Sequence, residues 1–473
     1  MFQRFLSWIR GVLTKMLHIG DAKQALKADV SISADMQVAV DLWAKMFMGK
    51  PPWLDDTTQS IGLPAAIAGE IARLITVELD SKITGGPRAD YLQQEYQLVL
   101  DNLRANVEVA VAGGGMAFKP YVDSGHIVVD CVPAWRFLPT AFNCRGEVTG
   151  AVFVEQVVRG KTYYTRMEHH QLSSSGYTIR NLAFASSTRG ALGSACRLDA
   201  VDEWVALEPE LTIHYGDGTG PDKALFAYFR VPLANTVDPE SPLGVSVYSR
   251  AAGLICEADR QYSRILWEYE GSELAIDASQ GALQAGVSDR EPPALLKRRH
   301  RLFRQLAIDQ GQGGDLYKVY NPAIRDTSLF NGLDKLLKRI EFNCNLAYGT
   351  LSDPQNVDKT AEEIRSSKQR SYAAICDLQK ALQVALEHLV WTMDLYADLY
   401  QLAPKGEYKT SFTWGDGILQ DVDAEFARRK QLVDGQYIRP ELLIAWYFGV
   451  SEEDAQKMMP SQPLTLEFGG GDA

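Results

Sequence analysis

The run PLANTVDPESPLGVSVYSRAAGLICEADRQYSRILWEYEGSELAIDA, residues 232–278, decides how the chain is built. Pro242-Leu243-Gly244 opens a long helix in which Val247, Ala251, Leu254, Ala258, Tyr262, Ile265 and Tyr269 recur every three or four residues until Gly271. The period then shortens. ELAIDA (273–278) and DLYKVY (315–320) read as two short strands, with a Pro-initiated basic helix, ALLKRRHRLFRQLA (294–307), between them. A second helix follows over 329–348, and Pro354 is expected to stop it. A polar break from Gly349 to Lys359 leads into the longest helix. There Ile375, Leu378, Leu382, Ala385, Leu389, Met393, Tyr396 and Tyr400 keep one stripe. Its length, on the order of 60 Å at 1.5 Å per residue, is that of a strut.

Upstream, residues 1–110 read as helical. Ile67, Ile71, Leu74 and Ile75 form one stripe, and Leu92, Tyr96, Val99, Leu100 and Leu103 another, with Gly85-Gly86-Pro87 between them as a breaker. From about 115 to 232 the period is two. HIVVDCV, VTGAVFVEQVV, KTYYTRMEHH, YTIRNLAF and ALFAYFRVP are β-rich runs split by Gly, Ser and Asn. The fold class is therefore α+β, with a mostly antiparallel β unit set between helical parts. Downstream, three short helices are punctuated by Gly435, Pro440 and Ser451, and the tail PSQPLTLEFGGGDA reads as mobile.

Composition excludes several classes. A net charge of −12 over 473 residues argues against a protein that grips nucleic acid across a wide basic surface. The six cysteines are scattered without paired spacing, which suits reduced thiols. No apolar run is long enough to span a bilayer. The start, MFQRFLSWIRGVLTKML, has helical apolar spacing with Arg4, Arg10 and Lys15 interleaved but no unbroken apolar core, so it is not a secretory signal. It reads as an amphipathic helix docked on this protein or a neighbour, with a membrane-surface helix as the alternative.

Catalytic motifs are missing from the sequence. There is no GxxxxGK[ST] and no GxSxG. Gly113-Gly114-Gly115 lacks the lysine of a phosphate loop and reads as a turn. GDGTG at 216–220 lies between β runs and reads as a hairpin-type loop. His169-His170 fall on opposite faces of a strand, so no metal is expected there. No cofactor is expected, and these absences favour a structural protein over an enzyme.

Two stretches carry a resemblance: residues 232–278, quoted above, and YNPAIRDTSLFNGLDKLLKRIEFNCNLAYGTLSDPQNVDKTAEEIRSSKQRSYAAI, residues 320–375. Within the second, Asp358-Lys359-Thr360-Ala361-Glu362-Glu363-Ile364 matches a "kTAtEv" run. These stretches resemble portal proteins of tailed bacteriophages, in the Gp-six-like branch of long-tailed phages. YTIRNLAF and LDAVDEWVAL fit the β part, and the likeness covers about 150 to 470.

The resemblance implies an elongated subunit of a ring, usually of twelve copies, at one capsid vertex of the virion, assembled in the host cytoplasm. Double-stranded DNA is packaged and ejected through it. It implies a wing (1–245), a stem helix (246–271), a clip (272–328), a second stem helix (329–348), a tunnel loop (349–359), a long wing helix (360–401) and a crown (402–473). Partners would be the terminase motor, which holds the ATPase, then head–tail adaptors, with major capsid or scaffold protein around the ring and no membrane.

Two groups of residues follow from this map. Asp353, Gln355, Asn356, Asp358 and Lys359 would face DNA in the channel, although the same residues suit an ordinary helix–helix loop. Lys297, Arg298, Arg299, Arg301 and Arg304 would contact the motor or an adaptor from the clip, although a solvated helix face explains them too. On the outgoing stem, Arg250, Glu257, Asp259, Arg260, Arg264, Glu268 and Glu270 nearly cancel in sign, which suits a duplex that slides. Trp391, Tyr396 and Tyr400 are read as core or subunit contact. The rival readings are another head–tail connector or minor capsid protein, and a soluble enzyme of unfamiliar fold.

Overall fold

A computed structural model describes residues 30–188, 190–215, 218–273, 275–279, 303–306, 317–320, 323–353, 361–415, 422–448 and 451–459. The N-terminal amphipathic stretch and the tail beyond 459 lie outside the described residues. The chain is mixed α+β. It forms two compact units, Met1–Val77 with Ser81–Phe412, and Glu78–Asp80 with Thr413–Ala473.

The first unit starts with α1 (Ala34–Phe47), whose N-terminus is capped by the Ser33 hydroxyl accepting from the Met36 amide at 3.2 Å. Met36, Ala39, Val40 and Trp43 are buried along one face. In α2 (Leu63–Thr76), Pro64 fits the first turn, and Ile67, Ile71 and Ile75 are buried as the spacing requires. β1 (Leu79–Gly85) interrupts the helical reading of residues 1–110. It pairs with β14 (Tyr408–Trp414), some 330 positions along the chain, so no local pattern announced it. α3 (Pro87–Asp101) and α4 (Leu103–Gly113) follow, burying Leu92, Tyr96, Val99, Leu103 and Val107.

The β unit is two antiparallel sheets. β10 (Ala227–Arg230), β2 (Gly115–Asp123) and β3 (His126–Pro133) form one, in that order. The other runs β4 (Phe137–Phe142), β5 (Val148–Arg159), β6 (Thr162–Ser173), β7 (Gly176–Ser186) and β8 (Ser194–Cys196), with β9 (Glu210–Ile213) also on β7. Rings fill the space where the sheets meet: Phe137 stacks on Tyr228 at 5.0 Å, and Phe153 meets Phe226 edge-on at 5.2 Å. The opposite face of the larger sheet buries Leu138, Val152, Met167 and Phe184 with Val30. The GDGTG loop is not a hairpin turn, because β9 and β10 belong to different sheets. Gly216 and Asp217 lie outside the described residues, and across them the Tyr215 amide donates to the Thr219 carbonyl at 2.8 Å.

Gly113-Gly114-Gly115 has a more specific role than a turn. Gly114 sits at φ +92°, and a Cβ there would meet the Gly244 carbonyl oxygen at 2.7 Å. A Cβ on Gly244 would collide with the Gly114 carbonyl oxygen. Two backbones touch here, and the Val231 amide donates to the Gly114 carbonyl at 3.1 Å. This contact joins the start of β2 to the segment that opens the long helix of residues 232–278. That helix, α5, spans Ala252–Gly271, with a 3-10 turn over Ser249–Ala251 before it. It starts later than expected because Val245, Val247 and Tyr248 are buried in irregular backbone.

Next come β11 (Ala275–Ser279), β12 (Phe303–Leu306), β13 (Tyr317–Tyr320), α6 (Asp326–Asn343) and α7 (Ala361–Leu399). The three strands form one sheet in the order β12-β11-β13, with β12 parallel and β13 antiparallel to β11. The expected basic helix therefore does not run to residue 307: its last part is strand. Four residues are too few for periodicity to separate the two states, and pairing with Ile276–Ser279 settles the choice. α7 has 39 residues. It buries Leu382, Leu386, Leu389, Val390 and Met393 and packs on α2, α3, β2 and β10.

Arg88, at the start of α3, is 1% exposed and ties that helix to the end of α7. Its guanidinium donates to the Asp394 carboxylate at 2.7 Å, to Asp398 at 2.7 Å and to the Ala403 carbonyl at 3.0 Å. The second unit holds α8 (Val422–Asp434), α9 (Pro440–Phe448) and α10 (Glu452–Met458). Ser451 N-caps α10 as expected, accepting from the Asp454 amide at 3.2 Å.

Removing the Arg88 fork leaves partly buried carboxylates and a carbonyl without their donor. Arg88→Ala should lower stability by about 2–3 kcal/mol in urea unfolding, and Arg88→Lys should recover only part of this because it cannot fork. A loss below about 0.5 kcal/mol for the alanine variant would show that the contact contributes little.

Candidate functional site

The site is built on α5 and α6, which run antiparallel with the β11–β13 sheet between them in sequence. Near the sheet, Arg325 donates to both oxygens of Glu268, at 3.0 and 2.7 Å. About two turns back along α5, Gln261 donates to the Leu329 carbonyl at 3.2 Å. The paired guanidinium holds the Glu268 carboxyl below the usual range. Further back within α5, Asp259 is fully buried. It accepts from the Trp53 indole N–H at 2.8 Å and the Ile61 amide at 2.9 Å. Burial pushes its carboxyl up, and these hydrogen bonds pull it part of the way back.

Two of the seven charges assigned to the outgoing stem are thus internal anchors. Asp259 and Glu268 are buried, and sequence periodicity could have marked Asp259, since it lies four residues beyond buried Ile255. The remaining Arg250, Arg260, Arg264, Glu257 and Glu270 still nearly cancel. Arg260 and Glu257 pair directly at 2.7 Å.

α6 ends at Asn343, well short of the expected 348 and of Pro354. The chain leaves through Asn345 at φ +57° and doubles back along the helix. Glu341, fully buried, holds that reversal. Its carboxylate accepts from the Leu351 amide at 2.6 Å, the Ser352 amide at 2.8 Å and the Ser352 hydroxyl at 2.9 Å. The Asp353 amide then donates to Asp334 at 3.1 Å, two turns back along α6. Sequence reasoning missed Glu341, although it sits in phase with buried Leu333 and Ile340, where an apolar residue was due. Arg370, from α7, lies over the Phe342 ring at 4.5 Å and completes the corner.

Of the expected channel residues, Asp353 is exposed beside α6, while Gln355, Asn356, Asp358 and Lys359 lie outside the described residues. Lys297, Arg298, Arg299 and Arg301 also lie outside them. Arg304 falls on β12, in register with Asp277 of β11. Sequence reasoning also missed the exposed aromatic side chains of the helix pair: Trp267 is 67% exposed, Phe342 53%, Phe330 46% and Tyr269 40%.

The histidine pair is a structural feature of the β unit. His170 is bonded to Glu168 at 2.7 Å and to the Tyr177 hydroxyl at 2.9 Å. Lys119 donates to the same carboxylate at 2.7 Å. His169 is also buried, against the Thr140 hydroxyl at 3.2 Å, because the sheet is covered on both faces. Burial pushes His170 down and pushes His169 down to about 4, with the charges of His170 and Arg180 adding to the latter shift. No group of three metal-ligating side chains occurs among the described residues. Nor is any described helix long and apolar enough to cross a membrane. No protein-family model and no curated protein matches this chain.

Glu341→Ala should raise amide exchange at Leu351 and Ser352 and cost about 2–3 kcal/mol, since buried donors lose their acceptor. Unchanged exchange there would place the control of the reversal elsewhere. The histidines give a pH signature. An unfolded His titrates near 6.5, above the folded values of His169 and His170, so their stabilising effect is complete above that pH. It is lost as the pH falls from about 6.5 towards 4. The urea midpoint of the native chain should fall across this window, and His169→Gln should flatten the fall. An equally steep fall in the variant would assign it to other groups.

Proposed function

We propose that this chain is a portal-type subunit: one copy of a ring through which double-stranded DNA enters and leaves a phage capsid. The observation that carries the reading is the helix pair. α5 and α6 lead out to and back from a three-stranded sheet, and they present Trp267, Tyr269, Phe330 and Phe342 to solvent. Large apolar side chains spread along one helix pair need a partner surface, and a closed ring of identical copies supplies one. The 39-residue α7 after the reversal agrees with the strut expected next to a channel loop. The charge balance supports the same reading. A net −12 chain whose helix pair carries nearly cancelling charge would pass DNA with little drag.

In this reading the chain is not an enzyme. It would dock the terminase motor, which hydrolyses ATP, and later the head–tail adaptors, with the described Asp353 at the start of the channel loop. The purified chain should elute far ahead of a 52.5 kDa monomer and give negative-stain class averages of a ring with an open axis. A monodisperse monomer at every salt and protein concentration tested would overturn the reading.

A further inference from the structure

β3 ends its sheet. It pairs with β2 on one side, and among the described residues no strand pairs with its other edge. Two prolines tell which backbone groups face that edge. Pro120 stands opposite Val129 and Pro133 opposite Met116, and a proline has no N–H to exchange across a ladder. These are therefore the non-hydrogen-bonded pairs. By alternation, Ile127, Val129 and Cys131 turn their N–H and C=O groups away from β2. The backbone of Ile127 agrees, since it hydrogen-bonds the Tyr91 hydroxyl of α3.

The edge opens into a groove of about 230 Å³. Ile127, Val129 and Cys131 line one side, and Leu98, Val99 and Asn106 of α3 and α4 line the other. The Glu95 side chain of α3, 2% exposed, bonds the His126 ring of β3 at 2.9 Å and ties the two sides together. Leu98 is 62% exposed and Val128 37%. A preformed slot with apolar walls and an open strand edge suits an extended segment that adds as a further strand.

The chain carries a segment of that kind. Leu464-Thr465-Leu466-Glu467-Phe468 alternates large apolar with polar side chains over five residues, the length of 127–131, between Pro463 and Gly469. Period two puts all three apolar side chains on one face of an added strand, where Leu98 and Val99 can cover them. The N-terminal amphipathic stretch suits the slot less well. Its spacing is that of a helix, which bonds its own backbone internally and leaves the edge of β3 unpaired.

We propose that residues 464–468 of one copy add to the β3 edge of another copy and extend the β10-β2-β3 sheet by one strand. That the strand comes from another copy rests on the ring reading above, which sets copies side by side.

The test uses full-length chains. Light chain with benzoylphenylalanine in place of Phe468 is co-assembled with heavy-isotope chain that lacks it, then irradiated. Light peptides holding position 468 should be found joined to heavy peptides from 95–106 or 126–131. As a second measurement, Leu464→Ser with Leu466→Ser should speed amide exchange at Val129 and Cys131 by at least about tenfold. Unchanged exchange in the serine variant, or light tails joined only to light grooves, would overturn the proposal. Rings seen by electron microscopy with neither result would leave the ring reading standing and remove this one. A chain that stays monomeric, with light tails joined to no heavy chain, would remove both.

Discussion

The apolar face of Ala361–Leu399 is the surface on which the first unit is assembled. Leu382, Leu386, Leu389, Val390 and Met393 are wholly buried, and the elements they touch come from α2, α3, β2 and β10, which are remote in sequence. Contact with one rigid helix brings these pieces into register. Polar ties then fix their positions along it: Gln379 donates to the Ile75 carbonyl, His388 bonds the Ala224 carbonyl at 2.8 Å, and Arg88 forks onto Asp394 and Asp398. The burial supplies most of the stabilisation, at roughly 25 cal/mol per Å² of apolar surface, and the polar ties make the arrangement specific.

The helix pair α5 and α6 follows a different rule. Its buried polar groups are carboxyls: Asp259 within α5, Glu268 with Arg325 near the end of α5, and Glu341 at the corner that follows α6. Each carboxylate accepts two or more hydrogen bonds, so the cost of burying it is offset by bonds that hold only one geometry. The outer surface is left with aromatic side chains and nearly balanced charge. Exposed apolar area of this kind is unfavourable in a single copy, and this is why the proposed role is one of assembly.

Much of this was legible in the chain itself. The two-residue period of 115–232 gave sheets, the three-to-four-residue period gave α2, α5 and α7, and Ser451 capped the helix it precedes. The switch of period after Gly271 marked the strands at 275–279 and 317–320. Less was legible at the candidate site. Gln355, Asn356, Asp358, Lys359 and the basic run up to Arg301 lie outside the described residues. The exposed Trp267 and Phe342 looked, in sequence, like ordinary members of helices.

What the sequence determined by itself is whatever depends on neighbours within a few residues: the type of each long element, its caps, and the absence of catalytic motifs. Tertiary structure decided what depends on distant partners. β1 exists because β14 pairs with it, and Phe303–Leu306 is strand because Ile276–Ser279 lies alongside. Gly114 meets Gly244 because two backbones must touch. Asp259 and Glu341 became internal acceptors because distant or reversing backbone presented its N–H groups to them. Such long-range pairings leave no period in the chain, since each is chosen by the energy of a contact between segments far apart in sequence.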